Sequence, residues 1–152
     1  MLTDATFTDL SDLDALCGQF VAAASTPIAR AITGASRFPK GLCTWSAQAG
    51  GEFLTDHGFG TWTIWNAAAN SDSTFPRHDW LVREDVFVDL TAHQFDGYTS
   101  HLVGRSPNPL ASRFPVHLAS YPAVIPHDDP VRRQWKDSID ASLRAAVPAR
   151  GR

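Results

Sequence analysis

Cysteine, excess charge and long apolar runs are scarce in this sequence, and each shortage excludes a class of protein. Two cysteines in 152 residues are too few for a disulfide-based scaffold. A formal net charge of −3 gives no electrostatic basis for binding nucleic acid or an anionic membrane. No run of about 18 apolar residues occurs, so the sequence predicts no helix that spans a membrane.

The first residues, Met1-Leu2-Thr3-Asp4, lack the basic segment and the apolar segment that form a signal peptide. We therefore expect a cytoplasmic protein in which both thiols are free. Two alternatives stay open at this point. One is secretion without a signal peptide, if the protein is an effector; the other is a Cys17–Cys43 disulfide, which would disable a reactive thiol.

Metal-binding spacings such as His-x-x-x-His and Cys-x-x-Cys are absent, and so is a glycine-rich phosphate loop. The sequence therefore predicts neither a metal site nor a cofactor. Nitrogen and oxygen ligands do occur, and a metal site built from them is the alternative. These residues are His57, His78, His93, His101 and Asp89.

Apolar material, by contrast, is plentiful. Hydrophobic residues make up 43% of the chain, with Trp and Phe prominent among them. This is enough for the core of one domain of ordinary size. We expect residues 1–152 to form a single domain whose core covers roughly residues 36–120.

Local patterns predict an α+β protein. Apolar residues at helical spacing predict helices over residues 11–24, from Cys43 to about residue 57, and over residues 130–146. Alternating residues predict strands at 61–66, 78–82, 86–90, 101–104 and 116–118, with a polar loop at 70–76. This order predicts N- and C-terminal helices around a helix that packs on an antiparallel sheet.

Three local details refine this outline. Ser11 followed by Asp14 is typical of a capping box at the start of the first helix. Pro27 breaks the helical pattern after it. The pair Gly50-Gly51 inside the second helix costs about 1 kcal/mol per glycine relative to alanine, and this cost predicts close contact with the sheet.

Cys43 stands at the predicted start of the second helix. Backbone N–H groups there have no partner inside the helix, and the helix dipole places a partial positive charge at this end. Both stabilise a thiolate, and the same N–H groups can bind the oxyanion that forms when a carbonyl is attacked. The position predicts a nucleophilic thiol. The other reading of a helical cysteine is a small buried hydrophobic residue, which we expect for Cys17.

His78 opens one predicted strand and Asp89 closes the next, with a tight turn between them. An antiparallel hairpin brings the two side chains to the same end of the pair. Asp89 can then accept a hydrogen bond from one ring nitrogen of His78 while the other nitrogen faces Cys43. These three side chains form a candidate catalytic triad.

The neighbours of His78 are assigned by alternation along the strand. Trp80 lies on the same side as His78, so we expect it to wall the site against water. Asp79 lies on the other side, and we expect it to be solvated. Asp85, in the turn, is expected to be solvated as well.

Resemblance to a known family is carried by four motifs, in the order Cys43-Thr44-Trp45, His78-Asp79-Trp80, Val88-Asp89-Leu90-Thr91 and His93-Gln94-Phe95. They resemble the transglutaminase-like branch of the papain-like cysteine enzymes over about residues 36–95. The resemblance implies a thiol-bearing helix packed on an antiparallel sheet. Cys43 would be the nucleophile, His78 the general base and acid, and Asp89 the residue that orients the imidazole.

Two departures from the family pattern are present. Thr44 separates Cys43 from Trp45, whereas members usually carry tryptophan directly after the cysteine. No glutamine stands shortly before Cys43 to donate to the oxyanion, so Gln94 or a backbone N–H group is the candidate donor.

A triad of this kind predicts a cysteine hydrolase of the peptidase or amidase type that acts on a peptide or protein through a thioester. One alternative is an acyltransferase or a glutamine deamidase, as in effectors and toxins, and another is a non-catalytic binding module with the same fold. Candidate pocket or oxyanion residues are Trp45, Trp80, Gln94 and Arg37, with residues 66–77 as a rim loop. Neither the substrate nor the oligomeric state follows from the sequence.

Overall fold

The structure, a computed structural model, describes residues 9–146. Its helices are α1 (Ser11–Ala24), α2 (Pro27–Arg30), α3 (Cys43–Asp56) and α4 (Pro130–Ala146). Its strands are β1 (Thr63–Asn70), β2 (Ser73–Arg83), β3 (Val86–Asp89), β4 (Leu102–Arg105) and β5 (Val116–Pro122). Short 3-10 turns occupy Ala92–Gln94 and Pro109–Ser112. Over residues 9–146, no helix has the length and apolar composition needed to cross a membrane.

The described strands form one sheet in the order β4-β3-β2-β1-β5, and each neighbouring pair is antiparallel. The predicted α+β class with an antiparallel sheet is therefore confirmed. Strand β2 lies at the centre of the sheet, and α3 packs against it. The start of α3 and the middle of β2 are thus neighbouring parts of the molecule.

Helix α1 covers the residues predicted for it, because its apolar side chains recur at helical spacing on one buried face. That face consists of Leu13, Cys17, Phe20, Ala23 and Ala24. The predicted capping box of Ser11 and Asp14 is wrong. The backbone N–H of Ser11 instead donates to a side-chain oxygen of Asp9 at 2.8 Å, so an acceptor further upstream satisfies this donor.

Pro27 ends the pattern of α1 as expected, but it also begins a short helix that the pattern did not predict. Thr26 caps this helix, because its Oγ1 accepts a hydrogen bond from the Ala29 N–H at 3.3 Å. Proline is compatible with the first helical position, since the N–H group it lacks would have no partner inside the helix.

Helix α3 approaches the sheet closely at its two glycines. A Cβ atom added at Gly50 would lie 2.3 Å from Cδ1 of Leu90, and one added at Gly51 would lie 2.3 Å from Cβ of Ala123. At Gly51 the opposing atoms include the Ala123 backbone, so only glycine permits the approach there, whereas at Gly50 the opposing atom is the end of the Leu90 side chain. The close contact predicted from the glycine pair is confirmed.

Strands β1 and β2 form a longer hairpin than the sequence predicts. Strand β1 continues to Asn70 and β2 begins at Ser73, so the predicted polar loop over residues 70–76 is wrong, and so is the rim loop over residues 66–77. The Asp72 N–H donates to Oδ1 of Asn70 at 3.1 Å and closes a tight turn. Polar residues at 70–73 are as typical of a loop as of a short hairpin turn, and alanine at 67–69 has low strand propensity.

Apolar side chains cover both faces of the sheet. The main core lies between one face and the helices, and Leu81 of β2 belongs to it. A smaller cluster on the other face contains Trp80, and Phe95 packs there from the segment after β3 and Phe114 from the segment before β5. Because side chains alternate along β2, His78 projects with Trp80 toward the smaller cluster, and Asp79 projects with Leu81 toward α3.

Candidate active site

Cys43 is the first residue of α3, and its thiol is free and half-buried. Leu42 precedes it as the N-cap residue and has no side chain that could accept a hydrogen bond from the first turn. The backbone N–H groups at this end are therefore not occupied by a cap and remain suited to binding a negative charge.

Cys17 is also free, but it is fully buried in α1. Burial, with a smaller contribution from the charge of Asp14, raises the pKa of the Cys17 thiol far above its usual range. Both cysteines are free, so the structure contains no Cys17–Cys43 disulfide. The two thiols lie in different surroundings.

His78 and Asp89 form a buried pair in which Nε2 of the imidazole lies 2.8 Å from Oδ2 of the carboxylate, and neither side chain is exposed. The hairpin register pairs Leu81 with Val88 and Val82 with Phe87. Continuing this register places Asp89 opposite Trp80 rather than His78. The carboxylate therefore reaches the ring diagonally, from the same face of the sheet.

Two further donors hold the Asp89 carboxylate. Nδ2 of Asn108 donates to Oδ2 at 2.9 Å, and the Thr91 N–H donates to Oδ1 at 3.2 Å. Asn108 is itself fixed, because its Oδ1 accepts the Leu110 N–H at 2.9 Å. Asn108 was missed in the sequence, where an Asn-Pro pair indicates only a turn.

The imidazole of His78 is enclosed by aromatic rings. Its centroid lies 4.8 Å from that of Phe95, 5.5 Å from Phe114 and 5.7 Å from Trp80. The expected wall formed by Trp80 is thus part of a larger aromatic enclosure. Such an enclosure excludes water and strengthens the interaction between His78 and Asp89.

The second ring nitrogen of His78, Nδ1, is buried and forms no well-aligned hydrogen bond within the described part of the chain. The Cys43 thiol interacts with the ring both by charge and as a hydrogen-bond partner. Since Asp89 occupies Nε2, the thiol is the neighbour of Nδ1.

The pKa of His78 is raised to about 9. Burial lowers it, but the charge and hydrogen bond of Asp89, followed by those of Cys43, outweigh that effect. The imidazole therefore carries a proton at neutral pH. An imidazolium beside a thiol is the arrangement that favours the thiolate.

Asp79 occupies a position that contradicts the prediction for it. The residue is only 4% exposed, and its Oδ2 accepts a hydrogen bond from Oγ1 of Thr44 at 2.6 Å while Oδ1 accepts one from Nδ2 of Asn66 at 2.5 Å. The prediction that Asp79 is solvated is wrong, because its side of β2 is covered by the start of α3 rather than by water. The matching prediction for Asp85 holds, since its side chain is 63% exposed.

Tyr121 of β5 was also missed. Burial, then the charges of Asp79 and Cys43, raise the pKa of its phenol to about 12. Its hydroxyl group therefore lies near both the thiol and the buried carboxylate and remains protonated. The sequence around Tyr121 suggests only a strand among prolines, so nothing in it connects this residue to Cys43.

Gln94 lies beside the loop that precedes the thiol. Its Oε1 accepts a hydrogen bond from the Gly41 N–H at 3.3 Å, and its Nε2 is buried without a partner in the described residues. Trp45 instead packs against α4, with its ring centroid 5.8 Å from that of Trp135. Arg37 is exposed in the loop before α3.

A cavity of about 270 Å³ lies on the carboxylate side of the site. Its walls include Trp80, which contacts His78, and Asn108, which holds Asp89. Trp65, directly opposite Trp80 in the hairpin, forms a further wall.

Metal binding was the chemical alternative for these residues. Between residues 9 and 146, no three or more His, Cys, Asp or Glu side chains are grouped so that they could hold a metal ion.

Comparisons with protein-family models, with curated proteins and with solved structures gave no match for this chain. The resemblance to the papain-like, transglutaminase-like enzymes therefore stays a prediction that rests on the motifs around Cys43, His78 and Asp89.

Proposed function

We propose that this protein is a cysteine-dependent hydrolase of the peptidase or amidase type. Cys43 is the nucleophile, His78 the general acid and base, and Asp89 the residue that orients His78. The proposal is carried by one observation: a buried His78–Asp89 pair leaves Nδ1 without a well-aligned partner beside a thiol at a helix start.

This observation favours chemistry over packing for an energetic reason. A buried polar group without a hydrogen bond costs about 1–3 kcal/mol, so folds rarely retain one without a role for it. Nδ1 of His78 is buried without a well-aligned hydrogen bond, and its one neighbour able to form one is the Cys43 thiol. A ring nitrogen held beside a thiol, where it can keep the thiol ionised and later give its proton to the leaving amine, is what an enzyme of this type requires.

The reaction follows from the protonation states. The Cys43 thiolate attacks the carbonyl carbon and the oxyanion forms near the N–H groups of the first turn of α3. The protonated His78 then gives its Nδ1 proton to the departing amine, the carbon–nitrogen bond breaks and a thioester remains. Water attacks the thioester and neutral His78 takes a proton from it; the carbon–sulfur bond then breaks, the acid leaves, and the Cys43 thiolate and protonated His78 are restored.

The oxyanion needs a second donor besides the backbone. Gln94 supports this role, because its Nε2 has no partner in the described residues while its Oε1 is held by Gly41, close to the nucleophile in sequence. We assign Gln94 as the side-chain donor. Trp45 and Arg37 have no such support, since one packs on α4 and the other is exposed.

The same proposal includes a papain-like, transglutaminase-like core. A helix that begins with the thiol and packs on an antiparallel sheet that carries His78 and Asp89 is the arrangement implied by the papain-like, transglutaminase-like resemblance. Supporting features are the packing of α3 on β2 and the His78–Asp89 contact across the β2–β3 hairpin. We further propose a peptide or protein substrate and a cytoplasmic location.

The test is to incubate the wild-type protein and the Cys43→Ala variant with cell lysate and to follow mass changes in the lysate proteins. Chain cleavage that depends on Cys43 would support the hydrolase. A mass gain at glutamine would indicate a deamidase, and covalent joining of proteins would indicate an acyltransferase. Identical lysates with both variants, together with slow alkylation of Cys43, would contradict the enzyme and favour a binding module.

A further inference from the structure

Asp79 is a buried charged residue that the proposed reaction does not use. It follows His78 directly in β2, yet it projects to the opposite face of the strand. Its carboxylate accepts a hydrogen bond from the hydroxyl of Thr44, the residue that follows Cys43 in α3. The consecutive β2 residues His78 and Asp79 therefore contact consecutive residues of α3: His78 contacts Cys43, and Asp79 contacts Thr44.

We propose that Asp79 is a positioning residue: through Thr44 it fixes the first turn of α3 so that the Cys43 thiol stays beside Nδ1 of His78. This inference rests on the proposed function, because it concerns the geometry of the same thiol and imidazole. It assigns Asp79 no contact with the substrate.

The geometry supports this role in three respects. The Thr44–Asp79 hydrogen bond is short, at 2.6 Å, and joins residues that are 35 positions apart in the sequence. The carboxylate is almost fully buried, so it cannot exchange this partner for water. Asn66 binds the other oxygen, which fixes the orientation of the carboxylate from β1.

Asp79 acts on the site through its position and not through its charge. The pKa of His78 is set by burial, Asp89 and Cys43, and Asp79 is not among the groups that shift it. Asp79 therefore acts on the site through the location of α3. Of the groups around Asp79, Thr44 and Asn66 donate hydrogen bonds to it, and Tyr121 faces it as a neutral phenol.

A purely structural role would have a different signature. If Asp79 served only stability, its removal would loosen the fold and make Cys43 easier to alkylate at every pH. Loss of positioning would instead slow alkylation only where the imidazolium is needed to keep the thiol ionised. Above the pKa of His78, near 9, an accessible thiol is ionised without that help.

The experiment measures the rate of Cys43 alkylation by iodoacetamide in the full-length protein at pH 7 and pH 10. It compares wild type with Asp79→Ala, Thr44→Val and the double variant. Thr55→Val is the matched control, since Thr55 lies in the last turn of the same helix and its hydroxyl donates to the backbone carbonyls of Gly51 and Gly60. All variants are first checked for melting temperature.

We expect both single substitutions to slow alkylation at pH 7 about tenfold, because small misplacements of reacting groups have effects of this size or larger. The double variant should be no slower than either, since both remove the same contact. The loss should disappear at pH 10, and Thr55→Val should match wild type at both values. If Asp79→Ala does not fold, the alkylation rates of Thr44→Val and Thr55→Val at the two pH values are sufficient to test the positioning role.

Three results would overturn the positioning role: unchanged rates at pH 7 in Thr44→Val, equal losses at both pH values, or an equal loss in Thr55→Val. Because no substrate is involved, failure here is separable from failure of the proposed function. Slow alkylation of wild-type Cys43 would contradict the enzyme itself, whereas fast alkylation that is insensitive to Thr44 would contradict only the role of Asp79.

Discussion

Cys17 and Cys43 lie in helices of equal length, α1 and α3, yet only one of them has the surroundings of a reactive thiol. Cys17 is in the middle of its helix and fully buried, and its pKa is raised by burial and by Asp14. Cys43 is the first residue of its helix, half-buried, and beside an imidazole that carries a proton. The same side chain is thus core material in one place and a candidate nucleophile in the other, and position on the helix makes the difference.

Replacing either cysteine with alanine, which removes the sulfur, gives the largest expected effects, one on activity and the other on stability. We expect Cys43→Ala to abolish Cys43-dependent cleavage and to change the melting temperature by only a few degrees, since the thiol is half-buried. Cys17→Ala should keep the activity but lose stability, because it removes buried volume from the core. Activity assays and thermal unfolding measure the two effects, and activity retained in Cys43→Ala would reverse the comparison.

Removing the carboxylate charge of Asp89, which contacts the His78 imidazole, should have the next largest effect on activity. Asp89→Asn should lower kcat by about 100-fold or more, which is the usual contribution of general acid–base catalysis. Wild-type kcat/KM should fall as the pH rises through about 9, where His78 loses the proton that the leaving amine needs. In Asp89→Asn this fall should begin at lower pH, because the partner that raises the His78 pKa is gone.

An NMR titration of the His78 ring measures the shift directly. His117 on the exposed strand β5 serves as an internal control, because β1 and β2 separate its strand from the one that carries Asp89, and its ring pairs with Ser120. An unchanged His78 titration in Asp89→Asn would show that the carboxylate does not set the protonation of the imidazole.

Alkylation gives a smaller but more direct contrast between the thiols. At neutral pH, iodoacetamide should label Cys43 at least about tenfold faster than Cys17, because Cys17 is fully buried and burial raises its pKa, whereas Cys43 is half-buried at a helix start. Peptide mapping after short exposure separates the two sites. In denaturant the two rates should become similar, and equal slow rates in the folded protein would remove the distinction.

The parts of the fold that local pattern controls were predictable. Helix α1 follows from spaced apolar residues, and α4 begins at Pro130, a favourable first position. The contact between His78 and Asp89 follows from a hairpin with a short turn, even though the actual register places Asp89 opposite Trp80. In each case a few neighbouring residues carry the signal.

The parts that depend on distant neighbours were not predictable. Asp79 has the sequence context of an exposed strand residue, and only the packing of α3 on β2 buries it against Thr44. Asn108 and Tyr121 reach the site from segments far from Cys43 along the chain. A sequence identifies groups capable of the chemistry, whereas the groups that hold them in place depend on tertiary structure.

Gly50 connects the two halves of the candidate site without belonging to it. It lies in the helix that begins with Cys43, and it contacts Leu90, the residue directly after Asp89. A bulkier side chain at position 50 would push against the Leu90 side chain next to Asp89, while leaving the three candidate catalytic side chains chemically intact. The geometry on which the proposed activity depends is therefore sensitive to packing two helical turns away from the sulfur.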